Sequence, residues 1–364
     1  MTRPGAAVLG LLAAVAIAVI AGCGGGGGEG TADVAPPPDD PSAPASGTLS
    51  VFAYQDSITD QLLDPFREAN PDLDLKTAGF GSNDEGAAKM AGGFRADVVE
   101  ACLDEMSAFT DRGLLRPIDP DGIEDWDDLV FRDADGVRDG SDVLVVPLSA
   151  GPQGLIYDAG EIPPGEIDSF ADLFDPAYAD RVAIEGDYAL PAIAETALSL
   201  GIEDPMNLTP DQLDEVTQKL IDSRDQFRSI WRSDADVVNL FRSGEIALAD
   251  GGPGLTERIR DTGVDARWVA PEERPLSWVC GFAITADAEN TDAAYKLINW
   301  LASPQAQAIR ADDGYVVTNP KAIPLADPAA RKTADPKSIA NAIPETEPPD
   351  YQEWVRAFRE FQAQ

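Results

Sequence analysis

Carboxylates dominate the side chains that could do chemistry in this sequence, and they have few partners to work with. The 364 residues carry 65 Asp and Glu against 27 Lys and Arg, with no histidine, for a formal net charge of −38. Without imidazole there is no Ser-His-Asp or Cys-His nucleophile pair, no imidazole general base and no HExxH or Cys2His2 zinc set. A metal site would have to be built from oxygen ligands. Glycosidase-type catalysis needs two carboxyl groups at a defined separation, and nothing singles out such a pair here. No G-x-S-x-G run occurs, so the usual serine-hydrolase elbow is missing. Phosphate binding needs clustered Lys and Arg, so the charge also argues against a nucleic-acid partner. What carboxylates and aromatic rings do well without catalysis is hold cations, through charge-assisted hydrogen bonds and the ring quadrupole.

Cysteine is the other reactive type, and it is scarce: Cys23, Cys102 and Cys280 are the three in the chain. Cys23 has a clear context. Arg3 precedes an unbroken apolar run, Ala6–Ile20, too short for the roughly 20 residues of a membrane span and suited to a signal-peptide core. The run ends Ile20-Ala21-Gly22-Cys23, which resembles a bacterial lipobox. Residues 1–22 are therefore expected to be a signal peptide, with Cys23 diacylated and holding the protein at the outer face of the cell membrane. Gly24–Gly28 and the Pro-rich residues up to 47 have little to bury and read as a flexible tether, 23–47.

The elements that must position any site follow the tether. Thr48–Ala53 reads as a strand, Asp60–Glu68 as a helix with Leu62, Leu63 and Phe66 on one face, and Leu73–Thr77 as a strand. Ser82–Glu85 reads as a capping box that opens a helix, Ala96–Glu100 as a buried strand, and Asp104–Leu115 as a helix. That β-α-β-α-β-α succession implies a largely parallel sheet flanked by helices, whose ligands sit at the carboxyl ends of the strands. Tyr54-Gln55-Asp56, Gly79–Asn83 and Ala101–Asp104 then face one crevice. Val143–Leu148 and Gly154–Tyr157 read as two strands joined by a loop through Gly151-Pro152. Helices at Pro191–Leu200, Thr209–Ser223, Thr291–Leu301 and Tyr351–Gln362 complete the pattern, with strands Glu245–Ala249 and Trp278–Thr285 among them.

These landmarks, in order, resemble a known family. Val51–Asp56, Ala96–Val99, Gly113–Leu115 with Pro117-Ile118-Asp119, and Gly154–Tyr157 come first. Asp175–Tyr178, Gly244-Glu245-Ile246, Trp278–Gly281, Ala294–Leu301 and Gly314-Tyr315 follow. From about Leu49 to Gln364 the chain is similar to the spermidine/putrescine group of substrate-binding proteins of bacterial ABC importers. The resemblance implies an α/β, two-lobe periplasmic-binding-protein fold, type II-like, with parallel-rich sheets flanked by helices and a ligand cleft between the lobes. It divides the chain into lobe 1 at 48–150 plus 279–325, lobe 2 at 151–278, and a C-terminal segment at 326–364 whose helix packs on the lobes. Carried over by position, the ligand-binding residues are Tyr54, Gln55, Asp56, Ser57, Asp104, Asp187 and Trp278, with Asp250 a further candidate.

One departure stands out: Cys280 occupies the place where the family has a carboxylate, two residues after the stacking Trp. Cys102 falls at a cleft position as well. In the first lobe of a protein outside the cytoplasm, the two are each other's only available partners, so a Cys102–Cys280 disulfide is expected near the cleft floor. The implied function is a non-enzymatic receptor that captures a small cationic, polyamine-like solute and delivers it to an ABC permease, as a monomer and with no cofactor or catalytic residue. Alternatives are a receptor for another small organic solute, a ferric-iron receptor (although no Tyr-Tyr pair occurs), a lipoprotein hydrolase, or a sensing module.

Overall fold

The computed structural model describes residues 33–54 and 57–364. The expected signal segment, the lipidated Cys23, Gln55 and Asp56 lie outside the described residues. Lobe 1 begins with β1 (Gly47–Tyr54), α1 (Asp60–Ala69), β2 (Leu73–Phe80), α2 (Asn83–Ala91) and β3 (Val98–Cys102). The strand β1 pairs in parallel with β2 along its whole length, from Gly47 opposite Leu73 to Tyr54 opposite Phe80, and with β3 on its other side. The helices start where short polar side chains can satisfy free backbone N–H groups. Thr59 accepts from the Leu62 N–H, and Ser82 accepts from the Glu85 N–H at 3.3 Å. The Glu85 carboxylate bonds the Gly81 N–H instead of closing the expected box. The expected helix over Asp104–Leu115 is only a one-turn helix, Ser107–Thr110, behind a 3-10 turn at Leu103–Glu105. There Asp104 and Glu105 are buried rather than spread over a solvated helix face.

The strand β4 (Val146–Asp158) leaves lobe 1 and runs into lobe 2. It was expected as two strands and a loop, but it is one continuous strand of 13 residues, buried along nearly all of it. Its prolines fall where the ladder can spare a donor. Pro147 sits beside a bulge at Leu148 in its own strand, and Pro152 sits one residue before β4 changes neighbours at Gln153/Gly154. Lobe 2 then builds β5 (Val182–Glu185), α3 (Leu190–Ser199), α4 (Pro210–Asp222), β6 (Phe227–Trp231), α5 (Asp234–Ser243), β7 (Leu248–Gly251), α6 (Pro253–Arg260) and β8 (Ala266–Val269). The chain returns through β9 (Leu276–Thr285), followed by α7 (Thr291–Ala302) and α8 (Pro304–Asp312). β9 pairs antiparallel with β4 and with β3, so one sheet runs β2-β1-β3-β9-β4-β7-β5-β6 through both lobes. Two neighbouring strands therefore form the bridge between the lobes.

Each lobe has its own core. In lobe 1, Leu49, Phe52, Val99 and Phe282 pack against Tyr295, Leu297 and Leu301 of α7. In lobe 2, Leu155, Ile184 and Ile193 pack with Trp354, Phe358 and Phe361 of the terminal helix α9 (Tyr351–Gln362). The C-terminal segment reaches lobe 2 by running alongside β9, where Ile343 pairs with Leu276 and the Glu345 N–H donates to the Ser277 carbonyl. The tether ends sooner than expected. Ala35 is fully buried, its N–H donates to the Pro117 carbonyl, and its own carbonyl accepts from the Tyr295 hydroxyl at 2.8 Å. Residues 33–46 thus lie against lobe 1: extended Pro-rich chain has few donors to satisfy and can dock through single small side chains. No helix among the described residues is long and apolar enough to cross a membrane.

Candidate ligand-binding cleft

Between the lobes lies a cleft of about 680 Å³, within the size range of small-molecule sites. The carboxyl ends of β1, β2 and β3 form its first wall, with Tyr54, Ser57, Phe80, Glu100 and Cys102 facing inward. The bridging strands form the floor, through Ser149, Gly151, Gln153, Trp278 and Cys280. The second wall comes from β5 and the loops around it, chiefly Glu185, Asp187, Tyr188 and Trp231. At the rim the lobes touch: a Cβ on Gly314 would lie 2.5 Å from the Gly254 Cα, so neither backbone leaves room for a side chain.

The floor is aromatic and neutral. The Trp278 indole lies on the bare backbone of Gly151, where a Cβ would come within 2.5 Å of Cζ2. Tyr315 meets the indole edge-on, with ring centroids 5.9 Å apart. Beside them Cys280 and Cys102 are opposite each other in the β9–β3 register, with Cα atoms 3.9 Å apart and their sulfurs at bonding distance.

The second wall carries carboxyl groups in layers. The Glu185 carboxylate accepts from Gln153 Nε2 at 2.6 Å, and its backbone N–H donates to Asp250 Oδ2 at 2.8 Å. Asp250 Oδ1 in turn accepts from Trp231 Nε1 at 2.6 Å. Burial pushes Asp187 up to about 7 against the opposing hydrogen bond from Glu185, and pushes Asp250 up to about 6. Glu185 is driven further up by burial and by the neighbouring charges of Asp187 and Asp250. Glu195, on α3 behind them, is pushed well up by burial and by Asp250. Two cations of the lining are already engaged, Lys89 with Glu85 at 2.6 Å and Arg258 with Asp234, while the exposed Arg232 also borders the cleft.

The structure thus gathers Tyr54, Ser57, Asp187 and Trp278 around the cleft, together with Cys102 and Cys280. Tyr54 is held by its hydroxyl to Asn83 Oδ1 at 3.0 Å, and Ser57 by its backbone N–H to the Tyr54 carbonyl at 3.1 Å. Asp104 is elsewhere. The chain turns away from the cleft after Cys102, and Asp104 is buried in a seam behind it, raised to about 7 chiefly by burial. Asp250 is fully buried and supports Glu185 rather than lining the cleft. Sequence reasoning missed Glu100, Glu185 and Tyr188. For the two glutamates a signal existed: each is a lone acid in an otherwise apolar strand, Val-Val-Glu-Ala and Val-Ala-Ile-Glu, at the strand end that faces the crevice.

The chain belongs to the bacterial extracellular solute-binding proteins, whose family profile matches residues 61–338. Members of this kind bind small molecules outside the cytoplasm and hand them to an ABC permease; they are transport receptors and not enzymes. Among its relatives, the spermidine/putrescine-binding periplasmic protein 1 of Haemophilus influenzae is 26% identical over 309 residues, covering 81% of this chain and 83% of that protein. Two solved structures share the fold. The Tp0655 (TpPotD) lipoprotein of Treponema pallidum has a TM-score of 0.74 at 18% identity, covering 86% of this chain and 98% of that one. The spermidine/putrescine substrate-binding protein PotD of Streptococcus pneumoniae has a TM-score of 0.71 at 21% identity, covering 87% and 99%.

Proposed function

We propose that the cleft captures a small linear amine of the polyamine type. The observation that carries this reading is the second wall, where Glu185 and Asp187 face the cleft over the Trp278 floor with no Lys or Arg among the described residues hydrogen-bonded to either. An ammonium entering there meets carboxylates on one side and an aromatic face on the other, which is how amines are held. Names among the relatives, such as the spermidine/putrescine-binding protein of Haemophilus influenzae, support the same ligand class. Bound ligand touches both lobes and so stabilises the closed arrangement, which is the form presented to the permease. Calorimetry with putrescine, spermidine, betaine and amino acids tests the reading. Saturable binding of the polyamines is expected, and silence toward them with a clear response to another solute would refute it.

The receptor acts as a monomer held at the outer membrane face by lipid on Cys23, after removal of residues 1–22. A Cys23→Ala variant is expected to leave the membrane fraction. The Cys102–Cys280 disulfide is expected in the exported protein, since both sulfurs meet in an oxidising compartment. Finding both thiols free to alkylate, by mass spectrometry without reductant, would remove it.

A further inference from the structure

We propose that Glu100 is the ligand-binding carboxylate of the first lobe, and that it makes the cleft select amines with two charged ends. The inference rests on reading the cleft as an amine site, and it concerns the wall opposite Glu185 and Asp187. Glu100 is the one acid in the apolar strand β3, between Val99 and Ala101, and it is 1% exposed yet borders the cleft. A buried carboxylate is retained only where something compensates it. Two neutral donors hold it: the Tyr54 N–H at 3.0 Å and the Ser57 hydroxyl, both on Oε2. Burial pushes its carboxyl up, while the Arg310 charge, Ser57 and the Tyr54 N–H oppose that. Arg310 does this without clamping it. The guanidinium is 1% exposed and lies against the rings of Phe282 and Tyr315, at 6.0 and 5.4 Å. Its Nε and both Nη atoms have no hydrogen-bond partner among the described residues.

Among the described residues the cleft's other first-lobe acids are Glu85 and Asp313. Glu85 is spent on Lys89 at the rim, and Asp313 is a half-buried group whose carboxyl is pushed up by burial, with the Arg310 and Arg258 charges opposing. Glu100 and Cys102 alternate onto the same face of β3, so the carboxylate stands next to the neutral disulfide. Across the floor stand Glu185 and Asp187. A linear diamine lying over Trp278 can then place one ammonium at each wall. An amine with a neutral far end leaves Glu100 unsatisfied. Glu100 thus supplies the negative pole that Cys280, a neutral side chain, does not.

The test is a titration with two ligands of matched length, 1,4-diaminobutane and 4-amino-1-butanol, on the wild-type protein and on Glu100→Gln. Glutamine keeps an acceptor for Tyr54 and Ser57 and removes only the charge. Wild type is expected to prefer the diamine by about 10-fold or more. Glu100→Gln is expected to weaken the diamine by about 10-fold while changing the amino alcohol by less than about 3-fold. Unchanged diamine affinity, or an equal loss for both ligands, overturns the proposal and leaves the amine reading standing. Should the variant fail to fold, the wild-type ratio decides, and equal affinity for the two ligands overturns the proposal. If neither ligand binds wild type, the amine reading falls and this proposal with it.

Discussion

Two groups of buried acids lie within one molecule, and they are built for opposite purposes. Glu185 and Asp187 face the cleft with Asp250 behind them, and side-chain and backbone donors (Gln153 Nε2, Trp231 Nε1, and the Glu185 and Tyr188 N–H groups) are aimed at their oxygens. Asp104, Glu105 and Glu345 stand in the seam behind it, 1%, 1% and 6% exposed, where β3's end, the C-terminal segment and lobe 2 meet. There the donors are tyrosines. Tyr351 donates to Glu105, and Tyr188 donates to Glu345 at 3.4 Å. Burial pushes Glu105 and Glu345 well up, with Asp104 adding to both, so the seam favours protonated carboxyls that join the lobes. Asp187 is half-buried and Glu185 borders the cleft, so an incoming ammonium reaches them and favours their ionised form. Burial alone therefore does not make a binding carboxylate; access to a mobile cation does.

The sharpest way to break this comparison is Asp187→Asn. Removing a charge from the cleft should weaken diamine binding by about 3 kcal/mol, over 100-fold, read by calorimetry. Unaltered affinity would put the ammonium elsewhere. Trp278→Ala comes next, with an expected loss of about 2 kcal/mol from the lost ring face and little change in Tm.

The pH dependence should have opposite signs for ligand affinity and for stability. Asp187 and Asp250 have pKa values raised to about 7 and about 6. Ligand favours their deprotonated forms, so affinity should climb from pH 5.5 to 7.5 by up to about tenfold per unit for each proton released. Stability of the ligand-free protein should move the other way. A carboxyl whose folded pKa is raised holds its proton longer than the unfolded chain does, so stability is full below the unfolded value and falls as pH rises toward the folded one. The window for Asp104 runs from its ordinary 3.8 up to about 7. Thermal melts should therefore drop between those limits.

The smallest expected effect sharpens the contrast most. Glu345→Gln keeps a partner for Tyr188, so it should flatten the melting-temperature slope and change diamine affinity by less than about 0.5 kcal/mol. A large affinity loss would mean that the seam and the cleft act as one site.

The sequence made much of this fold legible, because the relevant signals are local. The β-α alternation, the helix beginning at Thr209, and the crevice at the strand ends are all fixed by neighbours in the chain. That Cys102 and Cys280 come to face each other was legible through their positions in the resemblance. What stayed hidden depends on contacts far along the chain. The run from Val146 to Asp158 reads as broken because Pro147 and Pro152 are turn residues by habit, and only the change of partner strands makes them harmless. Ala35 reads as tether because its pocket is made by Pro117 and Tyr295. Asp104 reads as a ligand contact because it follows β3, yet it is turned into the seam toward Tyr188 and Glu345, 84 and more residues away.

The central claim is that ammonium charge enters the cleft and displaces protons from its acids. Titrating wild-type protein with putrescine at pH 7, in phosphate and in Tris, tests it directly. These buffers differ in ionisation enthalpy, so proton release appears as a difference in observed heat. The account predicts saturable binding in both buffers and unequal heats, corresponding to about one proton released per ligand bound. Equal heats in the two buffers, or no binding of putrescine while a neutral or anionic solute binds, would contradict it.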